Sequence, residues 1–185
     1  FSTWTAGGGA TCGVTDIGGA WCWGYNSNGQ LGDGTTTDRL APTLVMGIPP
    51  LPAATVTPVV APSHYVALAA GKDHTCGLTS VGGAWCWGSN ASGQLGDGTT
   101  IDRTTPIPVL DVGQVFTDLT AGDSHTCALS ITKTVWCWGN NQYWQLGTGF
   151  NRSNQSEPVQ VAGDQLRSEE HTSELQSRLH LVCRL

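Results

Sequence analysis

Positive charge is scarce in this sequence: Lys and Arg number 8 against 14 Asp and Glu, a formal net charge of −6, and no run of basic residues occurs. A protein that neutralises phosphates needs such a run, so nucleic-acid binding is disfavoured. Charged residues make up only 12% of the chain and Met occurs once, a shortage of helix-favouring side chains that argues against helical bundles and coiled coils. No stretch approaches the roughly 18 consecutive apolar residues of a membrane span. The triplet Gly7-Gly8-Gly9 lacks the Lys-Ser/Thr and helix that complete a phosphate-cradling loop. The acidic residues are almost all isolated Asp in turns, with no carboxylate dyad and no Ser/His/Asp arrangement. The reading is therefore non-enzymatic, without cofactor or metal. Phe1 opens inside a strand-like pattern with neither a Met start nor a signal segment, and the chain is expected to be a piece of a longer protein.

What is abundant is Gly, with 25 residues, beside 8 Trp and 7 Cys. They recur in order. CWGYNSNGQLGDGT at 22–35 returns as CWGSNASGQLGDGT at 86–99, identical at 11 of 14 positions, and more loosely as CWGNNQYWQLGTGF at 137–150. A second shared segment precedes each copy: AGGGATC at 6–12, AGKDHTC at 70–76 and AGDSHTC at 121–127. Repetition at this period signals stacked supersecondary units. The units expected are 1–64, 65–115 and 116–166. Corresponding cysteines step by 64 and then 51 residues, and the excess of 13 falls where 5 of the 9 prolines sit: Pro49, Pro50, Pro52, Pro58 and Pro62. Prolines deny ladder donors, so 47–63 is expected to be a rim loop.

Within a unit, short apolar runs alternate with Gly, Asn, Asp and Ser turns. In unit three this predicts strands at 115–120, 126–130, 135–138 and 157–161. Four antiparallel strands per unit, repeated without helices, predict an all-β fold, a partial β-propeller of about three four-stranded blades.

CWGxNxxGQLG preceded by AGxxHTC resembles the RCC1 (regulator of chromosome condensation) repeat, in the cysteine-containing version common in bacterial secreted and surface proteins. The resemblance covers residues 1–166 and implies a seven-bladed ring whose remaining blades lie elsewhere in the full-length chain. Two positions depart from the pattern. Ala10 stands where the other units hold His74 and His125, and Trp144 stands where Gly29 and Gly93 sit, a residue ill suited to a left-handed turn.

Cys12 and Cys22, Cys76 and Cys86, and Cys127 and Cys137 each enclose nine residues, a spacing that lets strand two face strand three. They can be disulfide partners; free buried thiols, or metal ligation with His74 or His125, are the alternatives. Zinc usually takes four ligands, and no unit offers more than three. Bridges imply an oxidising compartment, so an extracellular, periplasmic or cell-surface address is expected. The Trp-Cys-Trp triplets place two indoles on one strand face and the sulfur on the other, consistent with packing between blades.

Two functions compete. One is a secreted or surface propeller acting as a protein–protein interaction module, as some bacterial members of the family are. The other is the intracellular role for which the family is named, guanine nucleotide exchange on a small GTPase beside chromatin; a propeller enzyme of unknown substrate is a third. Candidate partner-binding residues are those that break the repeat: Pro49, Pro50 and Pro52 in the insertion, and Tyr143 and Trp144 in the third turn. Composition changes abruptly at residues 167–185, RSEEHTSELQSRLHLVCRL. Taken at face value this tail is a helix, but it resembles a translated sequencing adapter and is set aside as foreign to the native protein, together with Cys183.

Overall fold

The computed structural model describes residues 1–47, 64–149 and 152–162. The candidate residues Pro49, Pro50 and Pro52 and the tail from 167 onward lie outside the described residues. Among the described residues, twelve strands form three separate four-stranded antiparallel sheets. The first contains β1 (Thr3–Gly7), β2 (Ala10–Val14), β3 (Ala20–Gly24) and β4 (Arg39–Leu44). The second contains β5 (Tyr65–Ala70), β6 (His74–Thr79), β7 (Ala84–Gly88) and β8 (Arg103–Pro108). The third contains β9 (Phe116–Ala121), β10 (His125–Ser130), β11 (Val135–Gly139) and β12 (Gln155–Gln160). In each sheet the strands lie side by side in chain order. This is an all-β partial propeller of about three blades.

Strand edges differ from the sequence expectation by a residue or two. The largest difference is at β12, which begins at Gln155 rather than Glu157 because Gln155 pairs with Gly139 across a register shift. The same irregularity between strands three and four recurs at Cys22/Gly24 and Cys86/Gly88. Each shift bends the outer strand away at the glycine that ends the CWG triplet, with φ near 100°.

First strands lie against one another, β1 beside β5 and β5 beside β9, so they form the inside of the arc and the fourth strands the outside. Between blades the core is continuous. Cys12, Cys22, Val14 and Leu31 of blade 1 pack with Tyr65 and Trp87 of blade 2. Cys76, Cys86, Leu78 and Leu95 of blade 2 pack with Phe116, Leu119 and Trp138 of blade 3. Thus the sulfur-bearing face of one blade meets the second indole of the next.

The cysteines of each pair are directly opposite across strands two and three, with Cα atoms 4.1 Å apart in all three blades. These three close pairs fit disulfides, and all six sulfurs are buried.

Candidate functional site

The repeated turn between strands three and four is the most elaborate local structure, and its asparagine organises it. Asn26 is fully buried; its Oδ1 accepts the Leu31 amide at 2.9 Å, and its Nδ2 donates to the Thr35 and Thr37 carbonyls at 3.1 and 3.0 Å. Asn90 repeats this with Leu95, Thr99 and Ile101. An amide side chain donates and accepts at once, which explains why this position holds Asn.

Beside each asparagine sits a carboxylate. Asp33 accepts from Arg39 Nε at 2.6 Å and from Thr35 Oγ1 at 2.7 Å; Asp97 accepts from Arg103 Nη2 at 3.0 Å and from Thr99 Oγ1 at 2.8 Å. Burial alone would raise the carboxyl pKa. The hydrogen bonds from threonine and arginine outweigh it and hold both Asp33 and Asp97 below the ordinary value. Reading the sequence as isolated turn aspartates missed these arginines, although the signal was available: GDGTTTDR at 32–39 and GDGTTIDR at 96–103 both carry the pair.

The glutamine of the turn joins blades. The Gln30 carbonyl accepts from Trp87 Nε1 at 2.9 Å and from Thr75 Oγ1 at 3.0 Å, both on blade 2. The Gln94 carbonyl accepts from Thr126 Oγ1 of blade 3 at 2.9 Å. Gly34 and Gly98 donate their amides to the Thr104 and Ser156 carbonyls on the fourth strand of the next blade. The turns of blades 1 and 2 are thereby fastened to the following blade.

His74 lies at the joint between blades 2 and 3, where its Nε2 is 2.9 Å from Thr126 Oγ1. Burial, with a smaller contribution from the neighbouring His125, depresses its pKa to about 3, so the imidazole is neutral near pH 7. Among the described residues no group of three or more His, Cys, Asp or Glu side chains is placed to hold a metal.

Blade 3 breaks the pattern. Thr148 replaces the aspartate and Gln155 the arginine, and Asn141 donates to Thr148 Oγ1 at 3.4 Å instead. Trp144 adopts φ 59°. The left-handed turn that its side chain was expected to disfavour is therefore kept, closed by Trp144 N to Asn141 O at 3.1 Å as Gly29 N closes on Asn26 O at 2.9 Å. Tyr143 and Trp144 are adjacent and exposed. The Arg152 guanidinium stands 3.6 Å over the Trp144 ring, a partner that sequence reasoning missed because no repeat marks it.

The regulator of chromosome condensation (RCC1) repeat matches at residues 18–78, 82–129 and 134–169, most of the chain. The chain belongs to the RCC1-repeat family. It is similar to human Protein RCC2, 32% identical over 137 residues, covering 72% of this chain and 24% of that protein. It is also similar to the RCC1 domain-containing protein RUG3, mitochondrial, of Arabidopsis thaliana, 31% identical over 160 residues, covering 85% and 33%. In fold it resembles Prp20p of Saccharomyces cerevisiae, with TM-score 0.72 at 18% identity, covering 88% of this chain and 38% of the other. The chain spans about a quarter to a third of the length of these two relatives.

These comparisons correct the expected address. RUG3 is named as mitochondrial, a setting inside the cell that overturns the extracellular, periplasmic or surface expectation. The error came from treating paired cysteines as a report on compartment. Fully buried and face to face across strands two and three of each blade, they pack as small apolar side chains whether oxidised or reduced, so the spacing serves the fold in either environment.

Proposed function

We propose that this chain is part of an intracellular RCC1-type regulatory propeller that works by binding a protein partner, without chemistry, cofactor or nucleic-acid contact of its own. One observation carries this reading: the repeated asparagine and aspartate side chains, and the main-chain carbonyls of the turn glutamines, are already engaged by the framework. The asparagines close turns, the glutamine carbonyls fasten blades and the aspartates hold arginines. A group used identically in successive blades belongs to the blade, which leaves recognition to the positions that break the repeat. Tyr143 and Trp144 are such positions, and so are Pro49, Pro50 and Pro52.

The description of Prp20p by its binding to Gsp1p and histones supports a protein partner and makes guanine nucleotide exchange on a small GTPase the specific activity to test. Fluorescence anisotropy of the GTPase loaded with a labelled guanine nucleotide, and of labelled histones, gives the readout. Saturable binding of either by the folded chain supports the reading, with accelerated nucleotide release identifying exchange. A folded chain that binds neither at micromolar concentration contradicts it.

The three cysteine pairs are proposed as structural bridges, Cys12–Cys22, Cys76–Cys86 and Cys127–Cys137. Thiol titration of the natively produced, unfolded protein checks this: six reactive groups from these positions without reductant would show dithiols instead.

A further inference from the structure

At one end of each sheet, strand two turns into strand three, and the tips of these hairpins carry side chains that a turn does not favour. Gly18, Gly82 and Lys133 close the three turns by donating their amides to the carbonyls of Thr15, Thr79 and Ser130 at 2.8, 2.9 and 2.9 Å. Ile17, Val81 and Thr132 thus share one turn position, and Asp16, Ser80 and Ile131 share the position before it. Asn, Asp, Ser and Gly are the usual occupants of such places. Here Ile17 is 90% exposed, Val81 54% and Ile131 62%, so these branched side chains bury little within the blades that carry them.

The tips are joined into one row. The residue that leads into each first strand lies between the tip of the preceding blade and the tip of its own. His64 meets Gly18, where a β-carbon would collide with the His64 side chain, and its carbonyl accepts the Ser80 amide at 2.9 Å. Val115 meets Gly82 in the same way, and its carbonyl accepts the Ile131 amide at 2.8 Å. Ile17, His64, Val81, Val115 and Ile131 therefore succeed one another across three blades, with Val115 47% exposed. A blade follows blade 1 and another follows blade 2, yet Ile17 and Val81 stay in solvent. They lie at the ends of the sheets, away from the faces on which blades stack. Single exposed aliphatic side chains are ordinary, whereas a contiguous row of them marks a contact surface.

Over blades 1 and 2 the charges at this end are negative. Asp16 adjoins Ile17, and Asp111 lies in the connection from β8 to Val115; both are exposed, and neither enters a salt bridge among the described residues. The described basic side chains of these blades sit at the other end of the strands: Arg39 and Arg103 open β4 and β8, and Lys72 lies in the turn between β5 and β6. Lys133, beyond Ile131, is the one described Lys or Arg at the row's own end. We infer that this row is a docking surface for a segment of a protein partner that carries aliphatic side chains together with lysine or arginine. The aliphatic groups cover Ile17, Val81, Val115 and Ile131, and the cations meet Asp16 and Asp111. This rests on the protein-binding reading above and adds a place and a chemistry to it. Charge separates this occupant from the others. Residues 48–63 carry no charged side chain, and a second copy would bring the same carboxylates. An anionic membrane surface would be repelled.

The test uses the whole chain and three fluorescein-labelled peptides, alternating Leu with Lys, Leu with Glu, and Ser with Lys. The variants exchange residues between equivalent turn positions, so circular dichroism should show an intact fold. A triple variant combines Ile17→Thr and Val81→Thr, after Thr132 of blade 3, with Ile131→Ser, after Ser80 of blade 2; Asp16→Ser follows Ser80 likewise. Anisotropy is expected to show binding of the Leu/Lys peptide, weakened at least about tenfold in the triple variant and about threefold by Asp16→Ser. The other two peptides should bind at least about tenfold more weakly than Leu/Lys. Equal binding by wild type and the triple variant, absence of binding by wild type, or equal or tighter binding of either other peptide overturns the proposal. So does any result that gives the row another occupant. Self-association in sedimentation by wild type and not by the triple variant would identify a second copy, and the same contrast with phosphatidylserine vesicles would identify a membrane. Faster cutting of residues 48–63 by proteinase K in the triple variant would identify that segment. If the peptide result fails while the GTPase or histone probe binds wild type, the row is wrong and protein binding stands; if neither probe binds wild type, the broader reading fails separately.

Discussion

The outer turns of blades 1 and 2 are nearly interchangeable, and that of blade 3 is not, although all three share one backbone. In the first two, a buried carboxylate held by arginine and threonine fills the turn, and a glycine admits the neighbouring blade. In the third, Thr148 stands in for the carboxylate and a tryptophan in left-handed conformation replaces the glycine. The backbone survives because the asparagine survives: Leu146 N still donates to Asn141 Oδ1 at 3.1 Å, as Leu31 N and Leu95 N do to theirs. Turn shape is thus set by one amide, while the residues around it decide what stands beside the turn.

The sharpest way to break the comparison is to move the tryptophan. Gly93→Trp places a β-carbon 2.6 Å from Ser156 Cα, where only backbone can give way. Overpacking of this kind costs about 1–3 kcal/mol and a left-handed L-residue a further 1–2, so a loss of about 2–5 kcal/mol is expected in urea unfolding. A loss below about 1 kcal/mol would show that the blade 2–3 joint yields easily.

Acid separates the joints next. His74 titrates near pH 6.5 when unfolded and near 3 when folded, so the unfolded chain binds more protons between those values. Stability is therefore complete above about pH 6.5 and falls as pH drops toward 3, by up to about 4 kcal/mol. His74 sits at the blade 2–3 joint against Thr126 Oγ1, with His125 near enough to lower its pKa further, whereas blade 1 has Ala10 at the matching position. Hydrogen exchange at pH 4 should show β6 and β10 losing protection before β2. Equal loss in all three blades would mean that His74 does not govern the joint.

A smaller effect tests the carboxylate network. Asp97→Asn keeps the shape but presents an amide where Thr99 and Arg103 both donate, and should cost about 2 kcal/mol. Thr148→Asn, at the matching place in blade 3, touches no such pair and is expected to change stability by less than about 0.5 kcal/mol. Similar costs at the two sites would show that the arginine pairing contributes little in blade 2.

These contrasts were unevenly legible in the sequence. The period of Cys-Trp-Gly and the Gly-Gln-Leu-Gly turns carried the fold, because a blade needs the same apolar alternation and the same turn each time. Tyr143 and Trp144 were legible as departures from that period. Arg152 was not, since its contact with Trp144 depends on how the two sides of a long turn meet, and no periodicity encodes that. The role of Gly29 and Gly93 was half legible. Sequence suggested the left-handed turn, but that the glycine also makes room for the next blade depends on a neighbour some 63–75 residues away. The compartment was misread because cysteine spacing reports which strands face each other, and facing strands are required in any compartment.

The smallest expected effect is also the most discriminating. Trp144→Gly removes the left-handed strain of an L-residue, about 1–2 kcal/mol. It also gives up the exposed stack with Arg152, about 0.5–1 kcal/mol, and frees the backbone of the unfolded chain by a similar amount. Because these nearly cancel, thermal and urea unfolding should place the variant within about 1 kcal/mol of wild type, with tryptophan emission losing its most exposed blade 3 contribution. A protein that gains nothing in stability from this tryptophan keeps it at no folding advantage, which is the expected signature of a residue facing a partner. A loss above about 2 kcal/mol would place Trp144 among the packing residues of blade 3 and leave the turn without a separate role.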